Sequence, residues 1–232
     1  NTSYPAASTL YGSQVFSFSF WKSHANAGTD ESVLQLGTAT NHSAVRIYTD
    51  NNAVHLLLSD SSRNTRRWHK NFNDIDVAET DMQHYVWTYD DVVGYPQLYV
   101  NAISQSNVIS TDGGFGNYDD TAITQINVAG NSQNTTDELR GKLSQLSIWS
   151  GSLNSTIVSQ IYNDGRPKDL YELPYNSSMR LAHWYKLSDE VAALGSNLSS
   201  VSTILDKSLQ IHTTDLTVNS GGDFTVASGI PT

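Results

Sequence analysis

The chain has 232 residues and contains no cysteine. This absence excludes disulfide bonds, thiolate metal sites and cysteine nucleophiles within these residues. It does not fix the cellular compartment, because a domain of this size can bury enough apolar surface to fold without covalent cross-links. Hydrophobic residues make up 38% of the sequence, which is ample for such a core.

Basic residues are also scarce. Thirteen Lys and Arg residues face 23 Asp and Glu residues, which gives a formal net charge of −10 at pH 7. Nucleic-acid binding requires cations that neutralise phosphates, so this balance argues against nucleic acid as a partner. The one dense basic cluster comprises Arg63, Arg66, Arg67 and Lys70. On a strand, Arg66 and Arg67 would point to opposite faces, so we expect a solvated strand end there.

Long apolar segments are missing as well. No run approaches the roughly 18 apolar residues that a membrane-spanning helix needs. The first ten residues have neither the basic start nor the long apolar stretch of a secretory signal peptide. We therefore expect no membrane insertion, and a chain that begins after processing or was cut from a larger protein.

Short alternating patterns dominate what is present. Phe16, Phe18 and Phe20 alternate with Ser17 and Ser19, which predicts a strand with a buried aromatic face and a solvated hydroxyl face. Similar patterns predict strands over 32–36, 45–49, 54–58, 84–90, 97–102 and 126–128, with a hairpin turn over 50–52. The sequence thus predicts an all-β fold, a two-sheet antiparallel β-sandwich.

One short helix is predicted near residues 155–163. Apolar side chains recur there at helical spacing, Asn154 or Ser155 is a suitable N-cap, and Gly165 is a suitable stop.

The same periodicity arguments give a predicted set of core residues. These are Phe16, Phe18, Phe20, Trp87, Tyr89, Leu98, Val100, Leu146, Ile148 and Trp149.

Three segments, in this order, resemble the laminin-G-like and concanavalin A-like lectin–glucanase jelly rolls. They are QHYVWTYD with the following QLYVNA (83–90 and 97–102), the segment from Glu138 to Leu170, and LAHWYKL (181–187). Ala102 stands where these domains usually have glycine. The resemblance extends over roughly residues 14–190 and implies a jelly-roll domain over 1–190. Residues 191–232 are then a C-terminal extension, either edge strands of the same domain or an arm used in assembly.

The resemblance also implies a function class, since such jelly rolls are mostly binding modules. We expect a non-catalytic surface module that binds a glycan or a surface protein, in an extracellular or virion-surface setting. A purely structural subunit that assembles with copies of itself into a homo-oligomer or larger assembly remains an alternative.

The best candidate for a ligand site is the loop from Thr111 to Asp120, with the sequence TDGGFGNYDD. Carboxylate and carbonyl oxygens are the ligands that Ca²⁺ prefers, and sugars bind planar polar groups beside an aromatic ring. The loop therefore predicts calcium ligands at Asp112, Asp119 and Asp120. The same loop predicts sugar contacts from Asn117 and Tyr118.

A catalytic alternative rests on Asp74, Asp76 and Glu79. Their spacing is similar to the E-x-D-x-x-E strand of family-16 glycoside hydrolases, whose outer carboxylates act as nucleophile and acid/base. Asp74 is one methylene shorter than the expected Glu, and Glu79 lies only five residues before His84, where the next strand is predicted. We therefore expect a solvated acidic loop and no enzyme. The seven His residues form no HExxH motif, although a Ser-His-Asp triad stays open.

Six Asn-x-Ser/Thr sequons occur, where chance alone would give about four. They lie at Asn1, Asn41, Asn134, Asn154, Asn176 and Asn197. They permit N-glycosylation if the chain passes through a secretory route.

Overall fold

The computed structural model describes residues 2–3, 14–23, 30–37, 43–75, 81–118, 123, 125–130, 139, 141–174, 179–187, 203–204, 207 and 216–217. Two antiparallel sheets pack face to face, and a short helix covers the outside of the smaller sheet. The predicted fold class, an antiparallel β-sandwich with one short helix, is confirmed. Within these residues no helix is long and apolar enough to cross a bilayer.

The larger sheet contains seven strands. In spatial order they are β1 (Thr2–Ser3), β11 (Gln125–Val128), β3 (Glu31–Gly37), β4 (Ser43–Thr49), β5 (Ala53–Ser59), β6 (Thr65–Asn71) and β10 (Ile109–Asp112). The β4–β5 hairpin turns at the predicted Asx residues, because Asp50 Oδ1 accepts the backbone N–H groups of Asn52 and Ala53 at 2.8 Å each.

The smaller sheet contains six strands. In spatial order they are β13 (Arg180–Tyr185), β12 (Leu143–Ser150), β2 (Val15–Lys22), β7 (Gln83–Asp90), β8 (Gln97–Val100) and β9 (Ile103–Ser104). A separate pair joins β14 (Thr203–Ile204) to β15 (Leu216–Thr217), and β15 lies beside β11. The backbone N–H of Lys207 donates to the Trp184 carbonyl at 2.7 Å. The division at residue 190 stays a prediction.

The core between the sheets is aromatic. Phe16, Phe18 and Phe20 are fully buried, and their rings meet those of the neighbouring strand: Phe16 stacks on Tyr89 at 5.2 Å between ring centroids, and Phe20 on Tyr85 at 5.5 Å. All ten predicted core residues are buried. Trp149, however, belongs to a second cluster on the opposite face of the smaller sheet.

The serine face of β2 is not solvated, contrary to the prediction. Ser17 and Ser19 are almost completely buried instead of solvated. Ser17 Oγ donates to the Gly151 carbonyl at 2.8 Å and accepts the Leu153 N–H at 3.0 Å, while Ser19 Oγ lies 2.8 Å from His84 Nε2. A third layer of the fold covers this face, which the alternation within one strand cannot reveal.

That third layer is built around α1 (Ser155–Tyr162). Asn154 caps the helix, with its side-chain oxygen accepting the Ile157 N–H at 3.0 Å. Ile157, Val158 and Ile161 face the sheet, where they join a cluster with Trp149 and Trp184. The predicted helix is confirmed, but its left-handed stop begins at Asn163 (φ 48°), two residues before the predicted Gly165.

One buried ion pair connects the two sheets. Lys22 Nζ lies 2.9 Å from Glu31 Oε2, and both side chains are almost fully buried. Burial lowers the pKa of Lys22, and the neighbouring carboxylate of Glu31 opposes that effect. Because Lys22 lies on β2 and Glu31 on β3, the pair joins the two sheets at one end of the sandwich. Removing either side chain would leave the other charge buried without a partner.

Candidate functional site

The outer face of the larger sheet carries an unusual concentration of polar side chains. Val45, Ile47, Val54, Leu56 and Trp68 point into the core, so the residues that alternate with them point outward. We call this outward surface the polar face. It comprises Ser32, Gln35, Arg46, Tyr48, His55, Leu57, Arg67, His69, Ile109, Thr111 and Asn127.

Strand register aligns these side chains in two rows that cross the sheet. Paired positions place one row in the order Ser32, Tyr48, His55, His69, Ile109. The second row runs in the order Asn127, Gln35, Arg46, Leu57, Arg67, Thr111. Directly opposed side chains in a sheet lie close enough to interact, so each row forms a continuous strip.

The first row is a stack of flat rings. Tyr48 and His55 lie 4.3 Å apart between centroids with an interplanar angle of 5°, and His69 follows at 5.4 Å from His55. His55 Nε2 is 2.9 Å from Asp50 Oδ2, which fixes Nε2 as the donor of a neutral imidazole. Burial lowers the pKa of His55 to about 4, although Asp50 opposes this, so the ring is uncharged at neutral pH.

Asp50 is itself held in place by the hairpin turn. Burial alone would raise the pKa of Asp50, but the backbone N–H groups of Asn52 and Ala53, together with His55, lower it. A fixed carboxylate on a rigid turn therefore orients the central imidazole of the stack.

The second row carries guanidinium and amide groups. Arg46 lies with its guanidinium carbon 4.4 Å from the centroid of the Tyr48 ring, and its Nη2 is 3.5 Å from Asp30 Oδ2. The side-chain amide of Asn127 donates to the Gln35 amide oxygen at 3.0 Å. Arg67 donates from Nη1 to the Tyr48 hydroxyl at 3.5 Å, which links the two rows.

Several polar atoms of this surface have no hydrogen-bond partner within the described part of the chain. They are Ser32 Oγ, His55 Nδ1, His69 Nδ1, Arg67 Nε and Asn127 Oδ1. These atoms are themselves buried, so they are unsatisfied groups inside the fold rather than donors and acceptors that a ligand can reach directly. Arg67 and His69 are partly exposed and Thr111 is exposed. The other side chains on β3, β11 and the middle of the first row are buried, namely Ser32, Gln35, Tyr48, His55 and Asn127. The polar face is thus open at the β6–β10 end and closed at the β3–β11 end.

The loop predicted as the ligand site has a different local structure. Asp112 ends β10, and its Oδ1 accepts the N–H groups of Gly114 and Phe115 at 2.8 Å each, while Oδ2 lies 3.7 Å from Arg66 Nε. Asn117 is exposed, as a sugar contact requires. Asp119 and Asp120 lie outside the described residues. The calcium site therefore stays a prediction, and within the described residues no cluster of three or more His, Asp or Glu side chains could hold a metal ion.

Tyr118 is placed where it cannot present its ring to a sugar. It is only 5% exposed, and its ring packs 5.1 Å from Phe16 between centroids and 6.4 Å from Tyr89. The residue also forms a β-bridge with Asp60, whose Oδ2 accepts the Gly116 N–H at 3.0 Å. The structure contradicts the sugar-facing role of Tyr118, because its side chain packs inside the aromatic core.

A different aromatic residue is exposed near that loop. Tyr95, in the β7–β8 turn, is 63% exposed. The guanidinium carbon of Arg66 lies 5.7 Å from the Tyr95 ring centroid and 5.2 Å from that of Trp68, and Arg66 Nε donates to Ser110 Oγ at 3.1 Å. Arg66 and Arg67 do point to opposite faces of β6, as predicted.

The alternative catalytic residues do not form a cleft strand within the described residues. Asp74 lies in a 3₁₀ turn over Phe72–Asp74, with an exposed side chain 3.9 Å from Lys70 Nζ. Asp76 and Glu79 lie outside the described residues. A family-16 type site needs all three carboxylates on one strand, so the position of Asp74 argues against that chemistry.

A second potential catalytic pair, Ser19 and His84, is closed to solvent. Both residues are at most 1% exposed, and burial lowers the pKa of His84 to about 3. A substrate cannot reach a hydroxyl buried beneath the helical layer. This pair is structural.

Of the six sequons, Asn154 lies in the described part of the chain, where it is exposed but also serves as the helix cap. Asn1, Asn41, Asn134, Asn176 and Asn197 lie outside the described residues. Glycosylation at these positions stays a prediction.

Sequence reasoning missed the polar face. The alternation of polar and apolar residues in SAVRIYT and AVHLLLS was a usable signal, because the predicted hairpin over 50–52 already places Tyr48 opposite His55. The position of Arg67 and His69 beside them depends on the β5–β6 register, which the sequence alone does not specify.

No protein-family model matches the chain, and no curated protein matches it. Among solved structures, the chain is similar to a protein from Bacteroides ovatus that is provisionally described as carbohydrate binding, with 15% identity and a TM-score of 0.54. That alignment covers 92% of this chain and 56% of the other, so the chain spans just over half the length of that protein. The likeness supports the β-sandwich fold.

Two further likenesses have TM-scores below 0.5 and add no weight to the fold assignment. One is the CBM40 domain of the Ruminococcus gnavus IT-sialidase, bound to α2,3 sialyllactose (10% identity, 64% of this chain, 83% of the other, TM-score 0.48). The other is the receptor binding domain of botulinum neurotoxin D (13% identity, 71% of this chain, 39% of the other, TM-score 0.45).

Proposed function

We propose that this protein is a non-catalytic carbohydrate-binding module and that the polar face binds the glycan. The observation that carries the proposal is the pair of aligned rows on the larger sheet. Sugars are recognised by several directed hydrogen bonds to planar side chains, combined with flat apolar or aromatic surface. At its open β6–β10 end, the polar face offers the imidazole of His69, the guanidinium of Arg67 and the hydroxyl of Thr111. The stacked rings of Tyr48 and His55 are buried behind them and support this end.

Rigidity supports the same proposal. Tyr48, His55 and His69 lie on three hydrogen-bonded strands in the middle of a sheet, so little side-chain freedom remains to be lost when a ligand binds. The carboxylate of Asp50 and the hydroxyl of Tyr48 hold their neighbours in position. A site of this kind binds and orients a ligand without needing an acid, a base or a nucleophile.

Absence of catalysis is part of the proposal. The exposed turn position of Asp74 and the burial of the Ser19–His84 pair support it. The carbohydrate-binding description of the Bacteroides ovatus structure is consistent with it.

We further propose a laminin-G-like or concanavalin A-like domain in an extracellular or virion-surface setting, where the ligand is a glycan of a host or partner surface. Self-assembly as a structural subunit remains the alternative.

A glycan array probed with the wild type and two variants tests the proposal. His69→Ala removes a ring from the open end of the polar face and should reduce binding by about 3- to 10-fold, the effect of losing one hydrogen bond. Gln160→Ala removes an exposed polar side chain of similar size from α1 and should leave binding unchanged. Equal losses in the two variants, or no glycan bound by the wild type, would contradict the proposal.

A further inference from the structure

The β7–β8 turn presents an exposed aromatic ring on a well-defined backbone. Tyr95 is 63% exposed, and it precedes Pro96, which restricts the Tyr95 backbone to extended conformations. Hydrogen bonds to Asp90 close the turn, because the Asp90 carbonyl accepts the N–H groups of Val93 at 3.1 Å and Gly94 at 2.9 Å. A large ring carried by such a turn loses little conformational freedom when a ligand binds to it.

Arg66 supports the Tyr95 ring from one side. Its guanidinium carbon lies over both neighbouring rings, 5.7 Å from the Tyr95 centroid and 5.2 Å from that of Trp68, which is a favourable cation–π arrangement. This contact occupies one side of the Tyr95 ring. The remaining exposed surface of the ring is available to a ligand.

Polar groups that a ligand can reach lie beside the ring. Arg66 is paired with Asp112 in the β6–β10 register, and its Nε is 3.7 Å from Asp112 Oδ2. The two Nη groups of Arg66 form no hydrogen bond with the described residues and are not among the buried unpaired atoms. Asp112 Oδ1 accepts backbone N–H groups, whereas Oδ2 accepts none from the described part of the chain. The two side chains are 25% and 45% exposed, so solvent reaches both.

These three residues come from both sheets and meet at the edge strand β10. We call Tyr95, Arg66 and Asp112 the edge site. A pyranose ring has polarised C–H groups on its faces and hydroxyls on its rim. The C–H groups are attracted to the electron-rich face of an aromatic ring, and the hydroxyls can donate to a carboxylate and accept from a guanidinium.

Charge favours a neutral sugar over an anionic one. The charges of Arg66 and Asp112 compensate each other, so the edge site offers a donor and an acceptor without a net charge. Asp90 and Asp91 lie in the adjacent turn, and the whole chain carries a formal charge of −10. An anion would therefore be repelled both locally and at longer range.

We propose that the edge site binds a neutral pyranose, whose C–H face stacks on the Tyr95 ring. Asp112 Oδ2 accepts a hydroxyl of this sugar, and an Nη group of Arg66 donates to another. Arg66 and Arg67 point to opposite faces of β6, so the edge site is separate from the polar face. It is a second sugar site, and it does not depend on the polar face being the first.

The test is NMR titration of isotopically labelled protein with the methyl glycosides of galactose, glucose, mannose and N-acetylglucosamine, combined with saturation transfer difference spectra of the sugars. Four variants accompany the wild type. Tyr95→Ala removes the ring, Tyr95→Phe keeps it, and Asp112→Asn removes the charge but keeps an oxygen that can accept the loop N–H groups. Tyr171→Ala is the matched control, since it removes another exposed tyrosine, near α1.

We expect at least one glycoside to shift the backbone amides of Gly94, Tyr95 and Asp112, and to receive saturation at the C–H groups of one ring face. Tyr95→Ala should weaken its binding by about 3- to 10-fold, the effect of losing one aromatic contact. Asp112→Asn should weaken it by about 3-fold or more, because hydrogen bonds to charged groups are the stronger ones. Tyr95→Phe and Tyr171→Ala should leave it nearly unchanged. Spectra of the free variants that match the wild type away from the substitution would show that the fold is intact.

Three results would overturn the inference: Tyr95→Ala binds every glycoside as the wild type does, Tyr95→Phe loses as much affinity as Tyr95→Ala, or Asp112→Asn loses none. His69→Ala, titrated in parallel, separates the two sites. If only His69→Ala weakens binding, the edge site fails and the polar face survives. If only the Tyr95→Ala and Asp112→Asn variants weaken it, the edge site stands and the polar face fails. If no sugar binds here or on the array, both fail.

Discussion

At the scale of single residues, burial decides what each polar group can do. His84 is completely buried, with Nε2 near Ser19 Oγ and its ring packed 5.0 Å from Trp21 and 5.9 Å from Tyr162 between centroids. His69 is only partly buried, although burial, and then the charge of Arg67, also lower its pKa. The same residue type is thus fully enclosed by the fold in one place and partly exposed to solvent in the other.

The burial of His84 predicts a pH dependence of stability. The pKa falls from 6.5 to about 3 in the folded protein, so below pH 6.5 the unfolded chain binds a proton that the folded chain does not. The free energy of unfolding should therefore fall by about 1.4 kcal/mol per pH unit for this residue as the pH decreases from 6.5 toward 3. Urea unfolding at stepped pH values measures this slope.

His84→Gln should make that slope shallower by about one proton's contribution. His69→Gln is the matched control and should change the slope less, because its imidazole is partly exposed. A slope between pH 5.5 and 4 that is identical in the wild type and His84→Gln would contradict the assigned burial of the neutral ring.

The alternation of residues in β2 correctly predicted that the phenylalanines are buried, but it did not predict that the serines between them are buried too. Phe18 must be buried because a strand with three phenylalanines on one face needs an apolar partner. Ser17 and Ser19 would be solvated in a two-layer sandwich, and their burial depends on the helical layer. That layer is encoded about 130 residues later in the chain, so no local pattern reports it.

At the scale of elements, one hairpin turn has a non-glycine residue at a left-handed backbone position where glycine would be less strained. The β8–β9 hairpin turns at Asn101 and Ala102, with φ values of 50° and 64°. Asn101 tolerates this left-handed backbone, and its side-chain oxygen accepts the His84 N–H at 3.0 Å. Ala102 does not tolerate it well, which explains why the resemblance places glycine here.

Ala102→Gly should therefore stabilise the protein. Relief of the left-handed strain, about 1–2 kcal/mol, outweighs the greater entropy of glycine in the unfolded chain, about 0.5–1 kcal/mol, so we expect a net gain of about 0.5 kcal/mol. Ala53→Gly, at the start of strand β5 and without a left-handed backbone, adds the loss of a buried methyl group to the entropic cost and should destabilise. Equilibrium urea unfolding of both variants measures the two signs, and a loss of stability in Ala102→Gly would show that the turn is unstrained.

At the scale of the whole molecule, the proposed binding surface is one that no single segment of the chain contains. The polar face uses side chains from β3, β4, β5, β6, β10 and β11, brought together by strand register. The predicted site was one contiguous loop, because a sequence shows which residues are neighbours along the chain and does not show which strands pair. Of that loop, Asn117 is exposed as required and Tyr118 is lost to the core.

NMR titration of isotopically labelled protein with the strongest ligand from the glycan array locates the binding surface directly. The account predicts that the largest backbone amide shifts fall on β4, β5 and β6, around Tyr48, Leu57, Arg67 and His69, with no comparable change in α1. Shifts confined to the loop from Asp112 to Tyr118, or to the smaller sheet, would contradict it.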